Sequence, residues 1–95
     1  MKINITFLSL PKVTKIIGSK SILFNFSGQT INDLLNELVK KYGMELGQFL
    51  LDDSGKLDSI FKVLLNEKQW VSRDQMNKTL EAGDQVTFMM LVGGG

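Results

Sequence analysis

The stretch Thr30-Ile31-Asn32-Asp33-Leu34-Leu35-Asn36-Glu37-Leu38-Val39-Lys40-Lys41-Tyr42-Gly43 decides the fold. Ile31, Leu34, Leu35, Leu38, Val39 and Tyr42 fall at i, i+3, i+4, i+7, i+8 and i+11, the apolar stripe of an α-helix with a polar far side. The Thr30 hydroxyl stands where it can accept from the free N–H groups of the first turn. Asp33 occupies the third helical position, a capping box with Asp in place of Glu. Lys40 and Lys41 set positive charge at the negative end of the helix dipole, and Gly43 follows as the stop. The rest of the chain must cover the apolar stripe.

Outward from the helix the apolar period changes from 3.6 to 2, which predicts strands. Ile3, Ile5 and Phe7 alternate with Lys2, Asn4 and Thr6, and residues 8–10 extend the run until Pro11 ends it. Residues 21–27 read as a second strand, with Ile22, Phe24 and Phe26 on one face. Residues 12–20, with Gly18 and Ser19, read as the turn region of a hairpin. Downstream, residues 44–51 hold Leu46, Phe49 and Leu50, one short helical turn. Asp52-Asp53-Ser54-Gly55-Lys56 is a turn. Residues 60–65 form a strand, residues 66–68 turn the chain, and Gln69-Trp70-Val71 pairs back. In the last strand, residues 85–92, Val86, Phe88, Met90 and Val92 alternate with Gln85, Thr87, Met89 and Leu91. One amphipathic helix and several strands make an α+β domain with the helix on one sheet face.

The 95 residues suit a single domain, and 43% apolar content suits a globular one. With neither cysteine nor histidine, the chain has no thiolate nucleophile, disulfide framework, imidazole metal site or serine–histidine triad. Eleven Lys+Arg against ten Asp+Glu leave a net charge of +1, which argues against a nucleic-acid partner. No apolar run approaches the ~20 residues of a membrane span. Met1-Lys2 leads into strand-like sequence rather than a signal peptide, so the expected location is cytoplasmic and no membrane partner is expected.

The sequence closes on Val92-Gly93-Gly94-Gly95. Glycine is the costliest residue to order, so residues 93–95 read as a flexible tail leaving a domain of residues 1–92. Lacking Cβ atoms, such a tail passes through a channel too narrow for other residues and offers an unhindered carboxylate. A frayed terminus has the same composition. Three further pieces accompany the tail: Val63-Leu64-Leu65-Asn66, an aliphatic run ending in Asn; Leu80-Glu81-Ala82-Gly83-Asp84-Gln85-Val86-Thr87-Phe88, a Gly-Asp turn entering the last strand; and the order of elements.

Together these resemble the ubiquitin-like sulfur carriers: MoaD, the small subunit of molybdopterin synthase, ThiS of thiamine synthesis, and the ubiquitin-related modifiers. The length of residues 44–57 is closer to the MoaD and modifier branches. Where MoaD-like tails carry an aromatic residue and a Pro-Pro pair before Val-Ala-Gly-Gly, this chain has Met89, Met90-Leu91 and Val92-Gly93. The resemblance implies a β-grasp fold, a mixed sheet of about five strands with one main helix packed on it. It places the last strand mid-sheet, parallel to the first.

It also implies a function without a catalytic side chain. The Gly95 carboxylate would be adenylated by a ubiquitin-activating-type enzyme using ATP, with no cofactor bound to the chain itself. Conversion to a thiocarboxylate would let it donate sulfur in molybdopterin or tungstopterin synthesis, docked on the large subunit of molybdopterin synthase or another sulfur-acceptor enzyme. The alternatives are a modifier joined through Gly95 to lysines of other proteins, or a ThiS-like thiamine carrier. Gly93 and Gly94 would thread the partner's channel. Phe88, Met89, Met90 and Leu91 would supply a docking patch, since successive strand residues point opposite ways, although Val86 and Phe88 also read as core.

Asp52 and Asp53 read as solvated turn carboxylates and not a metal site. Lys12, Lys15 and Lys20 read as a solvated face or as steering charges for an acidic partner. Trp70 reads as partly buried core.

Overall fold

In chain order the elements are β1 (Lys2–Leu8), α1 (Pro11–Ile17), β2 (Ser21–Asn25), α2 (Ile31–Tyr42), α3 (Met44–Leu50), β3 (Phe61–Leu65), β4 (Gln69–Val71), a 3-10 turn (Arg73–Gln75) and β5 (Gln85–Met90). The computed structural model describes residues 1–90. Leu91, Val92 and the expected tail, Gly93, Gly94 and Gly95, lie outside the described residues.

The strands form one sheet in the order β2-β1-β5-β3-β4. β5 pairs parallel with β1 and antiparallel with β3, so the last strand in sequence sits in the middle, as in a β-grasp fold. The outer pairs, β1–β2 and β3–β4, are antiparallel hairpins.

The register sorts side chains by the period-two rule. Ile3, Ile5, Phe7, Phe24, Val86, Phe88, Phe61, Val63, Leu65 and Val71 share the inner face and are buried. Onto that face α2 brings Ile31, Leu34, Leu35 and Leu38, with Leu46 and Leu50 of α3 beside them. The α2 cap is as the sequence predicts. Asp33 N–H donates to Thr30 Oγ1 at 3.1 Å, while Asp33 Oδ2 accepts from the N–H groups of Thr30 at 3.1 Å and Gln29 at 3.0 Å. At the other end Gly43 has φ +98°, a left-handed backbone that ends the helix at little cost to glycine.

Three expectations need correction. Residues 12–20 are not only a hairpin turn, because α1 fills most of them. Pro11 supplies a preset φ at the first turn, where its missing N–H costs nothing. Val13, Ile16 and Ile17 turn an i, i+3, i+4 stripe to the core, and Gly18, at φ +90°, ends the helix. Trp70 is not core: it is 56% exposed. Val71 takes the inward position opposite Val63, so Trp70 and its partner Leu64 point to the outer face. Asp52 is not merely solvated. It accepts from Ser54 N–H, Ser54 Oγ and Lys56 N–H and pairs with the Arg73 guanidinium, whose Nε also donates to the Leu57 carbonyl at 2.8 Å. Among the described residues, no helix is long and apolar enough to cross a membrane.

Candidate functional site

β5 is the strand that leads toward residues 91–95, and it is held from both ends of its register. At its start, two motifs distant in sequence meet. Gly83, at φ +88°, lets the chain turn tightly, and its N–H donates to the Lys2 carbonyl at 2.9 Å. Asp84 Oδ2 closes the turn by accepting from Glu81 N–H at 2.8 Å. Its Oδ1 accepts from Asn66 Nδ2 at 3.0 Å, and Asn66 Oδ1 accepts from Gln85 N–H at 2.8 Å. The Asn that ends the aliphatic run and the Asp of the Gly-Asp turn thus form one clamp that fixes where β5 enters the sheet.

Asn66 and Glu67 have φ of +54° and +59°, the left-handed pair of a tight hairpin turn, closed by Lys68 N–H donating to Leu65 C=O at 3.1 Å. Positive φ suits Asn, and at Glu67 it costs roughly 1–2 kcal/mol. The strain sits beside the clamp.

At its far end β5 splits the expected docking quartet. Phe88 is fully buried, its ring stacked on Phe7 with centroids 5.7 Å apart. It holds the core and offers no docking surface, a correction to the patch expected at residues 88–91. Met90 lies in register with Phe61 on the inner side and is half-buried. Met89 points to the outer face, between Leu8 of β1 and Lys62 of β3. Leu91, the fourth member, lies outside the described residues.

The outer face around Met89 carries Leu8, Leu64 and Trp70, with Lys62 Nζ 5.7 Å from the Trp70 ring centroid. Neither Leu8 nor Lys62 stood out in the sequence as a site residue. The signal that could have found them is the register, since Lys62 lies far from Met89 in the chain and beside it in the sheet. Lys12, Lys15 and Lys20 are all exposed, the first two on α1.

The ThiS family model matches residues 12–95 of the chain. Comparison with curated proteins by sequence gives no significant match. Among solved structures, the small archaeal modifier protein SAMP1 of Haloferax volcanii superposes with a TM-score of 0.78 at 22% identity over 100% of both chains. A chain of the Amycolatopsis orientalis BexX/CysO complex gives 0.73 at 19% identity, over 98% of this chain and 99% of that one. A Pyrococcus furiosus chain assigned as molybdopterin converting factor subunit 1 gives 0.70 at 18%, over 97% and 99%. At these identities the likeness is one of fold.

Proposed function

The chain belongs to the ThiS family of ubiquitin-like sulfur carriers, and on that premise we propose that Gly95 is its working group, carried as a thiocarboxylate. The observation that carries this reading is the extent of the family match, which runs through the glycines at 93–95. The central, doubly paired β5 supports it as a firm base for a group handed between enzymes.

The chemistry follows from what a carboxylate lacks. It is a poor electrophile, so an oxygen of Gly95 first attacks the α-phosphorus of ATP on a ubiquitin-activating-type partner, releasing pyrophosphate. Sulfur at the sulfide level, supplied by a partner, then attacks the acyl carbon and expels AMP, leaving the thiocarboxylate. In the acceptor enzyme the thiocarboxylate sulfur displaces an oxygen leaving group from a precursor carbon to give a thioester. Water then cleaves the acyl C–S bond, leaving sulfur on the precursor and restoring the carboxylate. We assign the precursor to molybdopterin or tungstopterin synthesis, on the MoaD-like length of residues 44–57 and the fold likeness to the Pyrococcus furiosus chain. This chain contributes the carried group and its docking surfaces.

Intact-mass measurement on protein made in its native host tests the reading. A shift equal to replacing one oxygen by sulfur, lost when Gly94 and Gly95 are deleted, is the expected result. Lysine-linked ladders without the sulfur form would identify a modifier instead. Sulfur transfer to a thiamine precursor, and not to a pterin, would move the chain to the thiamine branch.

A further inference from the structure

The net charge of +1 conceals an uneven distribution. Four exposed lysines gather at the end of the sheet where β5 leads toward residue 91. Lys62 is the register partner of Met89. Lys12 Nζ lies 5.5 Å from the Phe49 ring centroid, Phe49 packs on Phe61 at 5.4 Å, and Phe61 is the register partner of Met90. Lys15 and Lys20 both line a shallow hollow with Ser9 and Leu10, immediately after Leu8, which also pairs with Met89. The acidic groups nearby are fewer. Glu45 shares a hollow with Lys12 and Lys15, and Asp58 accepts from Ile60 N–H. Among the described residues, the only ion pair is Arg73–Asp52, so none of the four lysines is neutralised by a close carboxylate. Glu67, Glu81 and Asp84 lie at the opposite end, around the clamp.

The geometry points to a basic collar around the exit of β5 that docks against an acidic rim on the adenylating enzyme. Carboxylates of a partner that come between these ammonium groups are attracted by all four. Their position at the root of the segment that must enter the partner's channel makes the attraction specific to one orientation. Electrostatic complementarity of this kind acts chiefly on encounter and register, and is screened beyond about 10 Å at 0.1 M salt. This inference rests on the activated-carboxylate reading.

The test is ATP-dependent activation of the full chain by the organism's own adenylating enzyme, with the chain titrated at saturating ATP. Lys12→Glu/Lys62→Glu is compared with Lys2→Glu/Lys68→Glu, which changes the total charge equally at the other end. The exit pair is expected to raise KM about tenfold at low salt with kcat nearly unchanged. The control pair is expected to shift KM by less than about twofold, and the difference should disappear near ~0.5 M salt. Wild-type KM should itself rise with salt, which needs no variant to fold. An unchanged KM in the exit pair, equal rises in both pairs, or a salt-independent wild-type KM overturns the collar while leaving the carboxylate reading intact. Single-stranded RNA binding lost in the exit pair, with KM unchanged, overturns it in favour of a nucleic-acid surface. Failure of wild-type chain to be activated at any concentration overturns both.

Discussion

Asp33 ties the entry of α2 to the loop before it, and does so as an anion. The N–H groups of Gln29 and then Thr30 donate to its carboxylate and lower its pKa from the usual 3.8; desolvation opposes them, and the Thr30 side chain adds a further lowering. A group whose folded pKa is depressed contributes stability that is complete above its unfolded value and is lost as pH falls through the folded one. Asp33→Asn is therefore expected to lower Tm at neutral pH. The gap to wild type should close as pH falls below 3.8, which melting curves across the acid range would reveal. A gap that stayed constant to the lowest pH would mean the charge plays no part. Asn66 is the other residue with a consequence beyond its size, since one side-chain amide both donates to Asp84 and accepts from Gln85.

The β3–β4 hairpin turns on two left-handed residues, and Glu67 is the one ill suited to it. Glu67→Gly is expected to stabilise the domain by about 0.5–1 kcal/mol in urea unfolding, because relief of the left-handed strain exceeds the added freedom of the unfolded chain. The side-chain bond given up, Gln85 Nε2 to Glu67 Oε1 at 3.5 Å, is long and exposed. Elements of this size also mark where the sequence stops being legible. α2 and the strands were readable because each repeats one period long enough to be unambiguous. α1 was not, because its seven residues give only Val13, Ile16 and Ile17 as a stripe, and Gly18-Ser19 reads equally well as a turn. The face Trp70 takes is hidden in the sequence for a different reason: apolar character says that a side chain seeks cover, whereas the strand register decides which face it takes. The same limit applied to the candidate site. Which of Phe88, Met89 and Met90 points outward, and that Lys62 stands beside Met89, follow from pairing with β1 and β3, which sequence spacing does not contain.

At the scale of the molecule, β5 holds the two hairpins together. β1–β2 and β3–β4 have no sheet pairing with each other, and every inter-strand bond between the halves runs through residues 85–90. Backbone amides of Val86, Thr87 and Phe88, all buried, should exchange with solvent at the slowest, global-unfolding rate, and those of the short edge strand β4 much faster. Hydrogen-exchange NMR showing β5 amides among the fast class would contradict that role. The strand that joins the halves is also the last of the five in chain order. Without it the sheet divides into two hairpins, and an isolated hairpin is marginal alone in water. A chain ending before residue 85 therefore lacks the strand that joins the two hairpins and is expected to remain unfolded.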